Sequence, residues 1–343
     1  MNVHLQTEGR IESGVLLEVD DLKTHFRTER GLVRAVDGVT FSLERGKALG
    51  VVGESGSGKT VLSRSIMGLL PSTAVVRGSV RFAGQEIVGL DQRQMRHLWG
   101  REMSMIFQNP MVSLNPVMKI GKQIIEPLEI HLGMGRTDAR ETAIELLREV
   151  RIPEPERRLD QYPHELSGGL LQRVMIAAML LPEPRLVLAD EPTTALDVTT
   201  QSEVMAILDE LRRERGTAML FITHDLELAG AVCDRTAVMY AGQIVERRAS
   251  SLLHVDPLHP YTAALGAARP EIDRTVERLF AIPGRPVSAF EAPEGCAFAP
   301  RCAYAQDRCR AGRPPLEDLD GGQTRCVRAH ELHSELAAVV HHG

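Results

Sequence analysis

The chain is poor in aromatic side chains. One Trp, four Tyr and eight Phe make up 4% of 343 residues, too few for a platform that stacks bases. Positive charge is not in excess either: 40 Lys and Arg against 46 Asp and Glu give a formal charge of −6. Both shortfalls argue against nucleic acid as a partner. No apolar run approaches the roughly 18 residues that a membrane helix needs. The opening stretch MNVHLQTEGRIESG lacks the basic-then-apolar layout of a signal peptide. These readings predict a soluble, cytosolic chain that reaches a membrane only through a partner. Cysteine is scarce, with five in all, and four of them (Cys296, Cys302, Cys309, Cys326) lie beyond residue 295. A reducing compartment disfavours disulfides, so this group reads first as a metal or cluster site. Cys233, alone in mid-chain, reads as a small buried residue.

What is present is globular: 43% apolar and 25% charged residues, with length for roughly two domains. Residues 1–15 read as a loose polar tail. From Leu16 onward, short apolar runs alternate with helical patterns, which predicts an α/β fold on a mainly parallel sheet. Three runs read as buried strands: Ala48 to Val52, Leu186 to Ala189, and Ala218 to Ile222. Val204, Ile207, Leu208 and Leu211 keep the spacing of one helical face, and Ile144, Leu147 and Val150 suggest another over Asp138 to Val150. Segments of this kind between about 110 and 180 read as a helical subdomain inserted into the sheet domain, 16–270. Six prolines between Pro283 and Pro315 break up the region that follows, so 271–343 is expected to be a separate C-terminal extension.

Gly53-Glu54-Ser55-Gly56-Ser57-Gly58-Lys59-Thr60 fits G-x-x-x-x-G-K-[ST]. It follows an apolar run and opens a helical pattern, the setting that the motif requires. Backbone N–H groups of such a loop surround a phosphate chain, and the helix N-terminus adds positive potential. Lys59 can bridge the β- and γ-phosphates, and the Thr60 hydroxyl can ligate Mg²⁺. Asp190 and Glu191 stand where the run Leu186 to Ala189 ends. Asp190 is placed to hold Mg²⁺, and Glu191 to polarise an attacking water. His224 ends the run Ala218 to Ile222, so a parallel sheet would deliver it to the same edge. A further anion site is suggested by Ser167-Gly168-Gly169 at the start of a helical stretch. One loop does not easily fold onto both surfaces, so the second would serve the nucleotide of a partner chain.

With these motifs in this order, the chain resembles an ATP-binding cassette ATPase, the nucleotide-binding subunit of a transporter. The resemblance covers about 16–250 and rests on 53–60, Gln108 in Phe107-Gln108-Asn109-Pro110, Leu166 to Arg173, Asp190-Glu191, Ala195-Leu196-Asp197 and His224. It implies a P-loop NTPase (RecA-like) core with an antiparallel β subdomain and an inserted α-helical subdomain. It also implies two ATP molecules sandwiched between two cassettes, with Glu191 and His224 catalytic. By the same resemblance, Ser167, Gly168 and Gly169 face the partner's γ-phosphate. Gln108 senses Mg²⁺ beside Thr60 and Asp190, Asp197 links the two sites, and Phe26 stacks on adenine. The family's signature commonly continues with Gln, whereas here Leu170-Leu171-Gln172 follow Gly169; position 170 is variable in the family, and Glu191 and His224 are both present.

Tyr162-Pro163-His164-Glu165, Glu191 to Val198, His259-Pro260-Tyr261-Thr262 and Ile282-Pro283-Gly284-Arg285-Pro286 resemble the oligopeptide, dipeptide and nickel import branch of that family. The branch implies a bacterial or archaeal chain on the cytoplasmic face of the membrane. It also implies a second, paralogous or identical, ATPase subunit, two permeases and an extracytoplasmic solute-binding protein. The spacing C-x5-C-x6-C-x16-C around Pro300-Arg301-Cys302 resembles carriers of a [4Fe–4S] cluster in this branch. Zinc or free thiols are the alternatives. Peptide import leads over nickel or another small solute. A soluble, non-transport cassette ATPase is the rival class; such chains commonly carry two cassettes or a long coiled coil, and neither is present.

Overall fold

The computed structural model describes residues 14–29, 31–109, 113–193, 196–268, 282–287 and 290–342. The tail through residue 13, Pro110, Ala195 and the stretch 269–281 therefore lie outside the described residues.

The chain opens with a long hairpin, β1 (Val15–Thr28) and β2 (Gly31–Glu44). From Leu17 the residues of β1 alternate between buried and exposed, as one packed face requires, until Asp21 interrupts the register at φ 44°. Next comes β3 (Ala48–Val52), buried at every residue. The chain then returns to the first sheet with β4 (Ala74–Phe82) and the two-residue β5 (Gln85–Glu86). This smaller sheet is antiparallel, in the order β2-β1-β4-β5.

The larger sheet takes β6 (Met103–Ile106), β7 (Leu186–Asp190), β8 (Ala218–Thr223), β9 (Arg235–Tyr240) and β10 (Gln243–Ala249). It also takes a late polar hairpin, β11 (Glu317–Leu319) and β12 (Gly322–Thr324). Its order is β11-β12-β10-β9-β3-β8-β7-β6. The run from β9 to β6 is parallel, and the strands beyond β9 are antiparallel. The three strands expected from the sequence are β3, β7 and β8, the last two one residue longer than expected.

The parallel strands read as continuous apolar runs because both faces are covered. Leu186, Leu188, Leu220 and Ile222 enter the core shared with the small sheet and the helix Lys59–Ile66. Their neighbours Val187, Ala189, Met219 and Phe221 enter a second core built with the helices between β6 and β8. Those include Ile120–Leu132, Arg136–Glu149, Gly168–Leu180 and Val198–Arg215. The face of Arg136–Glu149 is carried by Ala139, Ala143, Leu146 and Leu147, while the expected Ile144 is only partly covered.

The C-terminal region does not stand apart from this frame. β12 pairs with β10 through Glu246–Thr324 and Arg247–Gln323. A third core joins Tyr240 of β9 to Tyr261 and Phe298, with ring centroids 4.7 to 5.4 Å apart. Among the described residues no helix is long and apolar enough to cross a membrane.

Beneath this roof Glu246 is fully buried, and its carboxylate accepts the backbone N–H groups of Leu258 and His259, each at 2.9 Å. Burial pushes the carboxyl from its ordinary 4.5 up to about 7, against the pull of those N–H groups and Arg248. A folded state that keeps a proton which the unfolded chain has released loses stability as pH rises. Between about pH 4.5 and 7 this group should remove about 3 kcal/mol. Urea unfolding from pH 5 to 8 should show that fall in the wild-type chain, and Glu246→Gln should flatten it. Parallel curves would assign the slope to other groups.

Candidate nucleotide site

β3 ends at Val52 and hands the chain to the loop 53–58, after which the helix Lys59–Ile66 begins. Two glycines are required by contact. A Cβ at Gly53 would lie 2.1 Å from the Met239 carbonyl oxygen, and one at Gly58, where φ is +104°, 2.1 Å from that of Ala35. The loop is thus wedged between β9 and β2. Lys59 is 5% exposed, and its Nζ donates to the carbonyls of Gly53 and Glu54 at 2.7 and 3.0 Å. Burial draws its pKa down, and Glu191, Asp190 and Glu54 oppose that pull.

Asp190 closes β7, with its Oδ1 accepting the Thr60 hydroxyl at 3.1 Å. Burial raises its carboxyl, so a cation here would relieve a real electrostatic cost. A hydroxyl and a carboxylate facing each other are hard oxygen donors of the kind Mg²⁺ takes alongside phosphate oxygens and waters. The residues therefore fit that ion.

Glu191, one residue on, sits at φ 47°, a left-handed conformation uncommon outside Gly, Asn and Asp. Its amide donates to the Ile222 carbonyl at 2.9 Å, which fixes the turn against β8. The turn brings its carboxylate to 3.1 Å from Gln108 Nε2, 3.6 Å from His224 Nδ1 and 4.0 Å from Lys59 Nζ. Four segments far apart in sequence thus meet at the ends of β3, β6, β7 and β8.

Ser55, Gly56, Gly58, Lys59, Thr60, Gln108, Glu191 and His224 line one open cleft of about 640 Å³. Val33 and Ala35 of β2 form a wall that the sequence did not disclose, since two apolar strand residues look like ordinary core. Phe26 does not line the cleft, but its register partner across the hairpin is Val33. Ser57 is buried with no hydrogen-bond partner for its Oγ. The Gln108 amide is engaged by Glu191 and not by the Thr60–Asp190 pair.

Ser167, Gly168 and Gly169 lie outside the cleft. Ser167 caps the helix Gly168–Leu180, accepting the Leu170 N–H, and both Ser167 and Gly168 are exposed. Asp197 likewise caps Val198–Arg215, bound by the Thr200 N–H at 3.0 Å and hydroxyl at 2.7 Å, which hold its carboxyl below the usual range. Among the described residues, the helix start at Ser167 thus lies apart from the cleft that gathers Lys59, Thr60, Gln108, Glu191 and His224.

Residues 36–194 match the profile of the ABC transporter family. The oligopeptide transport ATP-binding protein OppD of Salmonella typhimurium is 45% identical over 319 residues, 93% of this chain and 95% of that one. The chain belongs to the ABC transporter family. It is an ABC ATPase subunit. The dipeptide transport ATP-binding protein DppD of Escherichia coli is 46% identical, covering 91% of this chain and 96% of the relative. Among solved structures, the ATP-binding cassette MJ0796, in a dimeric post-hydrolysis state bound to ADP and Pi, aligns with a TM-score of 0.62. That match has 26% identity and covers 68% of this chain and 99% of the other.

Beyond the cassette proper, residues 245–309 match the oligopeptide/dipeptide transporter C-terminal region. Here the fold brings Cys296, Cys302, Cys309 and Cys326 around one small cavity, with His259, Phe298 and Leu332. Burial raises the thiols of Cys296, Cys302 (to about 11) and Cys326 (to about 12). Yet among the described residues no group of three or more His, Cys, Asp or Glu side chains is placed to grip a single metal ion. A zinc ion would need sulfurs about 2.3 Å from one point, and this arrangement does not provide that. Cys233 is buried, as expected of an inert core thiol, and burial pushes its pKa up.

Proposed function

We propose that this ABC ATPase energises the import of oligopeptides or dipeptides. The reading rests above all on 46% identity to a dipeptide transport ATP-binding protein along 91% of the chain. The match of residues 245–309 to the oligopeptide/dipeptide C-terminal region supports it. The partners are a second, paralogous ATPase subunit, two permeases and an extracytoplasmic solute-binding protein. The chain works at the cytoplasmic face of a bacterial or archaeal membrane.

In this reading the 53–60 loop and Lys59 hold the phosphates, while Thr60 and Asp190 hold Mg²⁺. Glu191 takes the proton of the attacking water, and His224 and Gln108 orient Glu191 and that water. Mg²⁺, when bound, neutralises charge on the phosphate oxygens. Ser167, Gly168 and Gly169 present their helix start to the nucleotide held by the partner cassette, and Asp197 lies along the same seam. Phe26, beside Val33, borders the adenine end. In the C-terminal segment the four thiols, which line one cavity, bind a [4Fe–4S] cluster.

Copurification of the tagged chain from detergent-solubilised membranes should recover two permeases and a second cassette. The reconstituted complex should accumulate labelled di- to pentapeptides only with ATP and the binding protein. The same anaerobic preparation should carry about four iron and four sulfide per chain. Recovery from the soluble fraction alone, without permeases, would refute the transport role. Iron-free protein would refute the cluster and leave transport standing.

A further inference from the structure

Glu54 is a carboxylate inside a loop that must receive polyphosphate. Unneutralised, it would repel the ligand and draw on the field of Lys59, whose pKa it already influences. The fold answers this from 247 residues away. Arg301 Nη1 donates to Glu54 Oε2 at 2.6 Å, and Nη2 to Oε1 at 3.2 Å, a two-pronged pair that fixes the plane of the carboxylate. The Arg301 side chain is only 4% exposed. Its remaining N–H groups are used as well, with Nε donating to the Pro283 carbonyl at 2.8 Å and Nη1 also reaching the Tyr240 hydroxyl at 3.3 Å.

The backbone of Glu54 is held from two sides. Its N–H donates to the Tyr261 hydroxyl at 2.9 Å, and its carbonyl accepts Lys59 Nζ. Tyr261 and Arg301 both lie in the 245–309 region, and Arg301 directly precedes Cys302 of the four-thiol cavity.

We propose that Arg301 is a positioning residue of the ATP site: it neutralises and orients Glu54, so that the C-terminal cysteine segment sets the affinity of the phosphate loop for ATP. The proposal rests on the ATPase reading but not on the presence of a cluster.

Steady-state ATP hydrolysis by the purified transporter complex tests it. Arg301→Met keeps the apolar bulk and should raise KM for ATP about tenfold with kcat within about twofold. Arg301→Lys should restore part of the loss, since it returns the charge without the two-pronged geometry. Adding Glu54→Gln to Arg301→Met should bring KM most of the way back, because the unneutralised carboxylate is then gone. If Arg301→Met does not fold, Arg301→Lys keeps the test decisive: its KM should still rise severalfold with kcat within about twofold.

A folded Arg301→Met with normal KM would overturn the proposal. So would a double variant no better than the single, or a folded Arg301→Lys with normal KM. A wild-type complex without ATP turnover would instead overturn the ATPase reading itself.

Discussion

Glu191→Gln is expected to bind ATP at least as tightly as the wild-type chain and to release phosphate about a thousandfold more slowly. The amide has the shape of the carboxylate, so the left-handed turn at φ 47° and the contact with Gln108 can persist. What disappears is a negative charge 4.0 Å from Lys59 and 3.6 Å from His224. Removing that charge also leaves the loop more positive toward phosphate, hence the undiminished affinity. Equilibrium binding of a fluorescent ATP analogue, set beside phosphate release, separates the two effects. Phosphate release near the wild-type rate would sink Glu191 as the base.

Lys59→Ala should fail one step earlier, with ATP affinity reduced about a hundredfold. Among the described residues that line the cleft, Lys59 is the only Lys or Arg. It also ties the loop together by donating to the carbonyls of Gly53 and Glu54. Truncation would remove the proposed phosphate contact, free those two carbonyls, and take from Asp190 and Glu191 one of their counter-charges. The same fluorescent titration reads this out. An affinity within about twofold of wild type would show that the backbone N–H groups bind the phosphates without help.

The cleft was legible in the sequence because its chemistry is local. A glycine loop after a buried strand and two carboxylates at a strand end are each short strings, and parallel strands bring their ends to one edge. His224 could be placed by that same logic. Val33 and Ala35 could not, since nothing in a strand of small apolar residues marks the side that meets a ligand. The Glu54–Arg301 pair was equally hidden: a Glu within the loop and an Arg beside a Cys carry no sign of each other across 247 positions.

The C-terminal hairpin failed to register for another reason. β11 and β12 have three residues each, largely polar, so they read as loop until β10 is there to receive them. The small antiparallel sheet came from family resemblance and not from alternation, because Asp21 breaks the period of β1 midway.

The pairing of β12 with β10 has a practical corollary for anyone trimming this protein to a minimal ATPase. A version cut soon after the helix Pro260–Ala267 would keep every residue of the cleft, yet it would strip the cover from β10. The amide donated by Arg325 to the Val245 carbonyl at 2.8 Å would vanish with the hairpin. A seven-residue strand would then present an unpaired rim, open to the matching rim of another copy. Insolubility of such a fragment would reflect bare sheet edges sticking together, and not a defective catalyst.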